Sequence, residues 1–258
     1  MSHDHINPDR FADSAGVPWE GRGFEENTFA NDNGQADQNL IDTIAKLNVA
    51  EASISDVVEA FRETRVLIPL LANLGEAGEG AHGQTVDKSA DLSIVTVETP
   101  DGQNGLPVFS SVSAMTAWNK DARPVPHSAV KAALAAAAEG NTRMILDPGS
   151  VSEFVFRRPM IEAIATQSKW IEPHQDKEVV AAFDEALAGH VELAAWSLAA
   201  GDPTSRLVSA EVELTLQLAS ALSQEAFSEL MQAIAKKISE SQVIAERVDS
   251  LRVKLATL

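Results

Sequence analysis

The sequence predicts an α/β chain of the α+β kind, with a mixed sheet and flanking helices in a main domain and a smaller β-β-α-β module after it. Three observations carry this expectation. Between Gly105 and Ile164, three short apolar runs of β type (LPVFSS, TRMILD and SEFVFR) alternate with two helical runs, and a third helix closes the block. From Arg206 to Leu218, apolar and polar residues alternate with period two, as in a strand with one face exposed. A polar stretch, KWIEPHQDKE at 169–178, separates the two regions and marks a domain boundary. The expected division is a polar acidic arm over 1–38, a main α/β domain over 39–170 and a smaller α+β domain over 180–258.

Taken in order, residues 1–38 are rich in Asp, Asn, Gly and Glu, with isolated Phe11, Trp19, Phe24 and Phe29. Such a composition buries too little to offset ordering entropy unless the aromatics dock on the folded body. Leu40, Ile41, Ile44 and Leu47 share one helical face. Ser53, with Asp56 three residues on, is a helix start for Ile54, Val57, Val58 and Phe61. RVLIPLL, 65–71, reads as a buried strand whose end Pro69 marks. Residues 75–90 form a loop with four glycines, but no Gly-Lys-Ser/Thr follows, so it does not read as a phosphate loop. DLSIVTVET, 91–99, is a strand, and the turn PDGQNG joins it to LPVFSS as an antiparallel hairpin. Ser110 or Ser111 caps a helix carrying Val112, Met115 and Trp118, and Pro124 and Pro126 end an extended link. The next helix, from about His127 to Glu139, has Val130 and Leu134 on its buried face and Gly140-Asn141 at its C-cap. TRMILD, the Pro148-Gly149 turn and SEFVFR follow, and Pro159 opens the helix of Met160, Ile161 and Ile164.

In the smaller domain a helix turn precedes a strand over 190–198, and Gly201-Asp202-Pro203 turns the chain. Arg206–Leu218 is a second strand. Ser223 caps a helix carrying Phe227, Leu230, Met231, Ile234 and Ile238, and Leu251–Leu258 is a last strand. The expected packing is one face of an antiparallel sheet against a helix.

Composition bounds the chemistry. Of 258 residues, 45% are hydrophobic and only 5% aromatic, with no Tyr, so the core is aliphatic. The absence of Cys excludes disulfides, thiol catalysis and cysteinyl metal sites, and fits a cytoplasmic location. A net charge of −18 repels phosphate backbones and anionic lipid, so neither nucleic acid nor membrane is an expected partner. No apolar run is long enough to span a bilayer, and the N-terminus MSHDHINPDRFADS lacks the basic start and apolar centre of a signal peptide. The six histidines do not form metal spacing beyond His3 and His5 in the arm, so no metal and no cofactor is expected.

The one local constellation is Asp147-Pro148-Gly149-Ser150. A Pro-Gly turn presents successive backbone N–H groups as an anion nest. With Arg143, Arg157 and Arg158 close in sequence, it is a candidate site for a carboxylate or phosphate, built from Asp147, Gly149, Ser150 and the three arginines. The competing reading is a hairpin turn with arginines snorkelling at strand ends. No Gly-x-Ser-x-Gly elbow accompanies it, so no catalytic residue is assigned. Trp118, Trp170 and Trp196 are core or interface anchors.

The strand Leu106-Pro107-Val108-Phe109-Ser110-Ser111, the helix ending at Trp118 and the strand-turn Ile145-Leu146-Asp147-Pro148-Gly149-Ser150 resemble the N-terminal domain of the SseB family, the enhanced serine sensitivity proteins. The resemblance covers roughly residues 40–170, and the tail from about 180 is similar, more loosely, to the family's smaller C-terminal domain. One departure is Asp147, where the family pattern has Asn. The resemblance implies an α/β fold without an established enzymatic activity. The expectation is a non-enzymatic cytoplasmic interaction or regulatory protein, with an unknown protein partner that the acidic charge favours as basic, and with self-association through a strand edge open to it. The alternative is an amino-acid or carboxylate sensor, or a cryptic enzyme, using the 147–150 turn.

Overall fold

Side-chain caps start the first two helices. Asp37 accepts the Leu40 N–H ahead of α1 (Gln38–Asn48), and Ser53 and Asp56 make a reciprocal capping box ahead of α2 (Ile54–Arg62). The computed structural model describes residues 29–73 and 91–256. The arm up to residue 28 and the glycine-rich loop at 75–90 lie outside the described residues. Both helices bury the faces expected of them, with Leu40, Ile44, Val57, Val58 and Phe61 at most 1% exposed.

β1 (Arg65–Asn73) does not end at Pro69 but runs four residues past it. The reason is local. Pro69 stands opposite Pro124, at a pair where neither needs a donor, and pairing with β2 (Asp91–Ile94) begins only at Leu70. The strand expected over 91–99 is divided. β2 joins β1, whereas β3 (Val97–Glu98) crosses to a second sheet and makes the expected antiparallel hairpin with β4 (Asn104–Val108). Ser111 is the cap of α3 (Val112–Trp118). The link with two prolines is itself a strand, β5 (Arg123–Ser128), at the edge of the first sheet, where proline is tolerated.

In α4 (Ala129–Ala138) the expected inward residues are replaced by smaller ones. Ala129, Ala132, Ala133 and Ala136 are fully buried, while Leu134 is 52% exposed. Close approach to its neighbours selects the alanine face over the bulkier one. Gly140, at φ 70°, and Asn141 close the helix as a Schellman motif, with Asn141 N–H to Ala136 C=O at 2.9 Å. β6 (Arg143–Leu146) and β7 (Phe154–Arg157) follow, then α5 (Arg158–Ala165) with Pro159 in its first turn. The second sheet has the order β3-β4-β6-β7, with β4 and β6 parallel and β6 and β7 antiparallel. A Cβ at Gly105 would press on the Ile145 side chain across the β4–β6 pair, so a larger residue here requires that side chain to shift.

The rest comprises α6 (Lys177–Leu187), β8 (Leu193–Ala200), β9 (Val212–Leu218), α7 (Gln224–Glu240), α8 (Gln242–Arg247) and β10 (Leu251–Ala256). Three readings change here. The strand expected from Arg206 starts at Val212, because 202–210 is a loop in which Ser205 and Leu207 take positive φ. The helix α8 is an addition, capped by Ser241. The sheet β10-β9-β8 is mixed, since the α7–α8 crossover returns β10 parallel to β9. Two large hydrophobic clusters result among the described residues, one around Phe61, Phe154 and Phe156 with Trp170 at its margin, the other around Phe183, Val212, Leu214 and Leu216, beside a small third one of Leu67, Phe109 and Met115. From Asn33 onward the chain forms one compact unit.

Candidate functional site

The six sequence-predicted residues do not converge. Arg143 and Arg157 are cross-strand partners at one end of β6–β7, and Asp147 follows the other end of β6. Four residues of strand put the turn about 13 Å away. Each end has its own arrangement.

At the turn, Asp147 is 1% exposed and takes φ 46°, a left-handed conformation that Asn and Asp tolerate best among residues with a side chain. Its carboxylate accepts from Ser110 N–H (2.8 Å), Ser110 Oγ (2.6 Å) and Ser152 Oγ (2.8 Å), and its own N–H donates to Val108 C=O (2.9 Å). It therefore fastens the β6–β7 turn to the end of parallel β4. Three donors on one carboxylate suit Asp better than Asn, which offers one acceptor oxygen. The expected anion nest does not form: of its N–H groups only that of Gly149 meets a carboxylate, donating to Glu153 Oε2 at 2.5 Å. Ser150 donates its N–H to Asp147 C=O, and its hydroxyl lies 3.0 Å from that of Ser152. Asp147→Ala removes all three side-chain bonds and leaves alanine at a positive φ, so it should cost about 3 kcal/mol of unfolding free energy in urea titration. Asp147→Asn should cost about 1 kcal/mol.

At the other end Arg143 and Arg157 are buried and committed. Arg143 uses all five donors: Nε and Nη2 to Asp101 Oδ2 (3.0 and 2.8 Å), Nη1 and Nη2 to the two oxygens of Asp249 (2.7 and 2.9 Å), and Nη1 to Thr142 C=O (2.8 Å). Arg157, 2% exposed, donates to Asp202 Oδ2 (2.6 Å), Ser209 C=O (2.9 Å), Ser250 Oγ (3.1 Å) and Asp249 Oδ2 (3.3 Å). Arg158 lies on α5, where it pairs with Glu162 and donates to Ala245 C=O at the α8 helix (2.7 Å). All three arginines thus reach from the first hydrophobic cluster's elements to those of the second.

Residues 38–163 match the family model for the SseB protein N-terminal domain. That segment is an SseB N-terminal domain. No curated protein and no solved structure matches it. The family match ends at residue 163 and does not extend to the tail from about 180. Arg143 and Arg157 lie inside the SseB domain and their carboxylate partners Asp202 and Asp249 lie beyond it, so this seam is where the SseB domain grips the rest of the chain.

The seam's charges do not balance. Arg143 and Arg157 face Asp101, Asp202 and Asp249, and Glu211 lies beside them, 7% exposed. Burial pushes the Glu211 carboxyl up to about 7 and the nearby Asp249 charge adds to this, against the bond from Asp249 N–H (2.7 Å) and the two guanidiniums. Burial also raises Asp101, but its bonds from Thr99 and Arg143 outweigh burial and hold it below its ordinary value. Glu211 Oε1, Asp202 Oδ1 and Ser209 Oγ are buried without a partner. A cavity of about 330 Å³ opens beside Arg157, between the Pro100–Asp101 turn, the 207–210 loop and Ser250.

Sequence reading missed Asp101, Asp202, Asp249 and Glu211. The available signal was arginine inside two apolar runs, TRMILD and FVFR, because a buried guanidinium demands carboxylates. Which of 38 acidic residues answer was not legible. Among the described residues, no group of three or more His, Asp or Glu is placed to hold a metal ion, and no helix is long and apolar enough to cross a membrane. Of the tryptophans, Trp170 is 6% exposed in the first cluster, Trp118 stacks 5.2 Å from Phe109, and Trp196 packs against the second cluster.

Proposed function

We propose that this chain is a non-enzymatic cytoplasmic protein of the SseB family that works by binding another protein, which its net negative charge favours as basic. One observation supports this reading above the others. The groups best suited to hold a small anion are consumed inside the fold, with Arg143 and Arg157 locked to Asp101, Asp202 and Asp249, and the Gly149 N–H taken by Glu153. A small-ligand sensor keeps one observation in its favour, the cavity beside Arg157 with the unpartnered Ser209 hydroxyl.

A thermal-shift series separates the two. With free amino acids, serine included, and small carboxylates or phosphates at millimolar concentration, the expected result is an unchanged Tm, together with recovery of a specific protein partner by affinity capture. A Tm rise of several degrees with one compound, lost in Ser209→Ala, would establish the sensor instead.

A further inference from the structure

The sheet edges of this chain are not equally protected. β5 carries Pro124 and Pro126, and β3 is two residues long. The outer side of β7 is covered at Val155, whose N–H donates to Ser205 C=O (2.7 Å) and whose C=O accepts from Ser205 Oγ (2.8 Å). β8 has a register irregularity between Leu193 and Ala195, and β2 has four residues. Each of these features discourages strand addition. β10 has none of them. It is six residues without proline or bulge, and it is the outermost strand of its sheet among the described residues.

Its two faces state what would fit. On the core side, Val253 and Leu255 continue the rows of Leu214 and Leu216. Leu214 and Leu216 are fully buried, while Val253 is 38% and Leu255 45% exposed, so the apolar face stops short at this strand. On the other side stand Arg252 and Lys254, whose side chains are 52% and 64% exposed and which share the single carboxylate of Glu213. A chain of net charge −18 thus presents a locally basic strand at its open edge.

We infer that β10 is the docking edge for an extended acidic segment of a partner protein, added as a fourth strand of the β10-β9-β8 sheet. Backbone groups supply the ladder, the segment's apolar side chains lie beside Val253 and Leu255, and its carboxylates lie beside Arg252 and Lys254. A second copy of the chain fits badly. Every pairing of two β10 strands that matches their faces sets Arg252 and Lys254 of the two copies against each other, and like charges directly opposite are destabilising. The overall charge can still draw a partner whose body is basic, provided the strand it offers is acidic.

This inference rests on the interaction reading above. Its test is selection of a displayed library of random twelve-residue peptides on the full chain, followed by binding to the Arg252→Gln/Lys254→Gln variant. Both changes are at exposed positions, and an unchanged Tm verifies the fold. The expected result is enrichment of sequences that alternate apolar residues with Asp or Glu, binding about tenfold weaker to the variant and slowing hydrogen exchange along 251–256. Enriched peptides that are basic, or that bind the variant equally, overturn the edge assignment and leave the interaction reading standing. A library that yields no binder also overturns the edge, and the interaction reading then stands or falls on affinity capture alone.

Discussion

Arg157→Ala should lower the unfolding free energy by about 3–5 kcal/mol, the largest effect of any single change in this chain. The variant removes four donors and leaves Asp202, 2% exposed, as a buried carboxylate without its cation. Asp202 keeps only the Leu207 N–H (2.8 Å), and Asp249 keeps only Arg143. The cost is mainly that of stranded buried charge, not of lost packing. Arg157→Lys should therefore restore little, because one ammonium cannot span Asp202, Ser209, Ser250 and Asp249 at once. Chemical denaturation at pH 6.5 measures both variants. A loss below about 1 kcal/mol for Arg157→Ala would mean that the seam contributes no more than a surface pair.

The second large effect is on pH dependence. The Glu211 carboxyl is raised in the folded state from an ordinary 4.5 to about 7. A raised acid contributes stability that is fully present below its unfolded value and lost as pH rises through the folded one. Between about pH 4.5 and pH 7 the wild-type chain should accordingly lose about 3 kcal/mol from this group. Glu211→Gln carries no charge at any pH, so it should be the more stable protein at pH 8, by up to that amount, and the advantage should vanish near pH 5. Asp101, whose value is lowered, acts in the opposite sense and only at more acidic pH. His127 is held below its ordinary value by burial and then by Lys131, but it is common to both proteins and cancels in their difference. A difference curve flat from pH 5 to 8 would contradict the burial of an uncompensated carboxylate at this position.

The legible part of the fold is the part governed by local chemistry. The Ser53–Asp56 box, the Ser111 and Ser223 caps, the Gly140–Asn141 stop and the apolar runs of β6 and β7 each follow from residues within one turn or one strand. What was not legible depends on neighbours distant in sequence. Pro69 looks like a strand end until Pro124 is placed opposite it. Leu134 looks buried until close packing takes the alanine face of α4. The alternation from Arg206 suits a strand, yet only Val212 onward finds partners, in β8 and β10. The candidate site divides in the same way. The Asp147 turn was legible as a turn, and the bond from Gly149 N–H to Glu153 is local. The arginines were legible as unusual, but their partners Asp202 and Asp249 lie 45 and 106 residues away from Arg157 and Arg143 respectively.

The central claim is that the buried arginines join the SseB domain to the rest of the chain and do not serve a ligand. Differential scanning calorimetry of the wild type and Arg157→Ala at pH 6.5 tests it most directly. The expected result is one cooperative transition in the wild type, with equal calorimetric and van't Hoff enthalpies, and two separated transitions in the variant as the two hydrophobic clusters unfold apart. Two transitions already in the wild type, or one undivided transition of unchanged Tm in the variant, would contradict it.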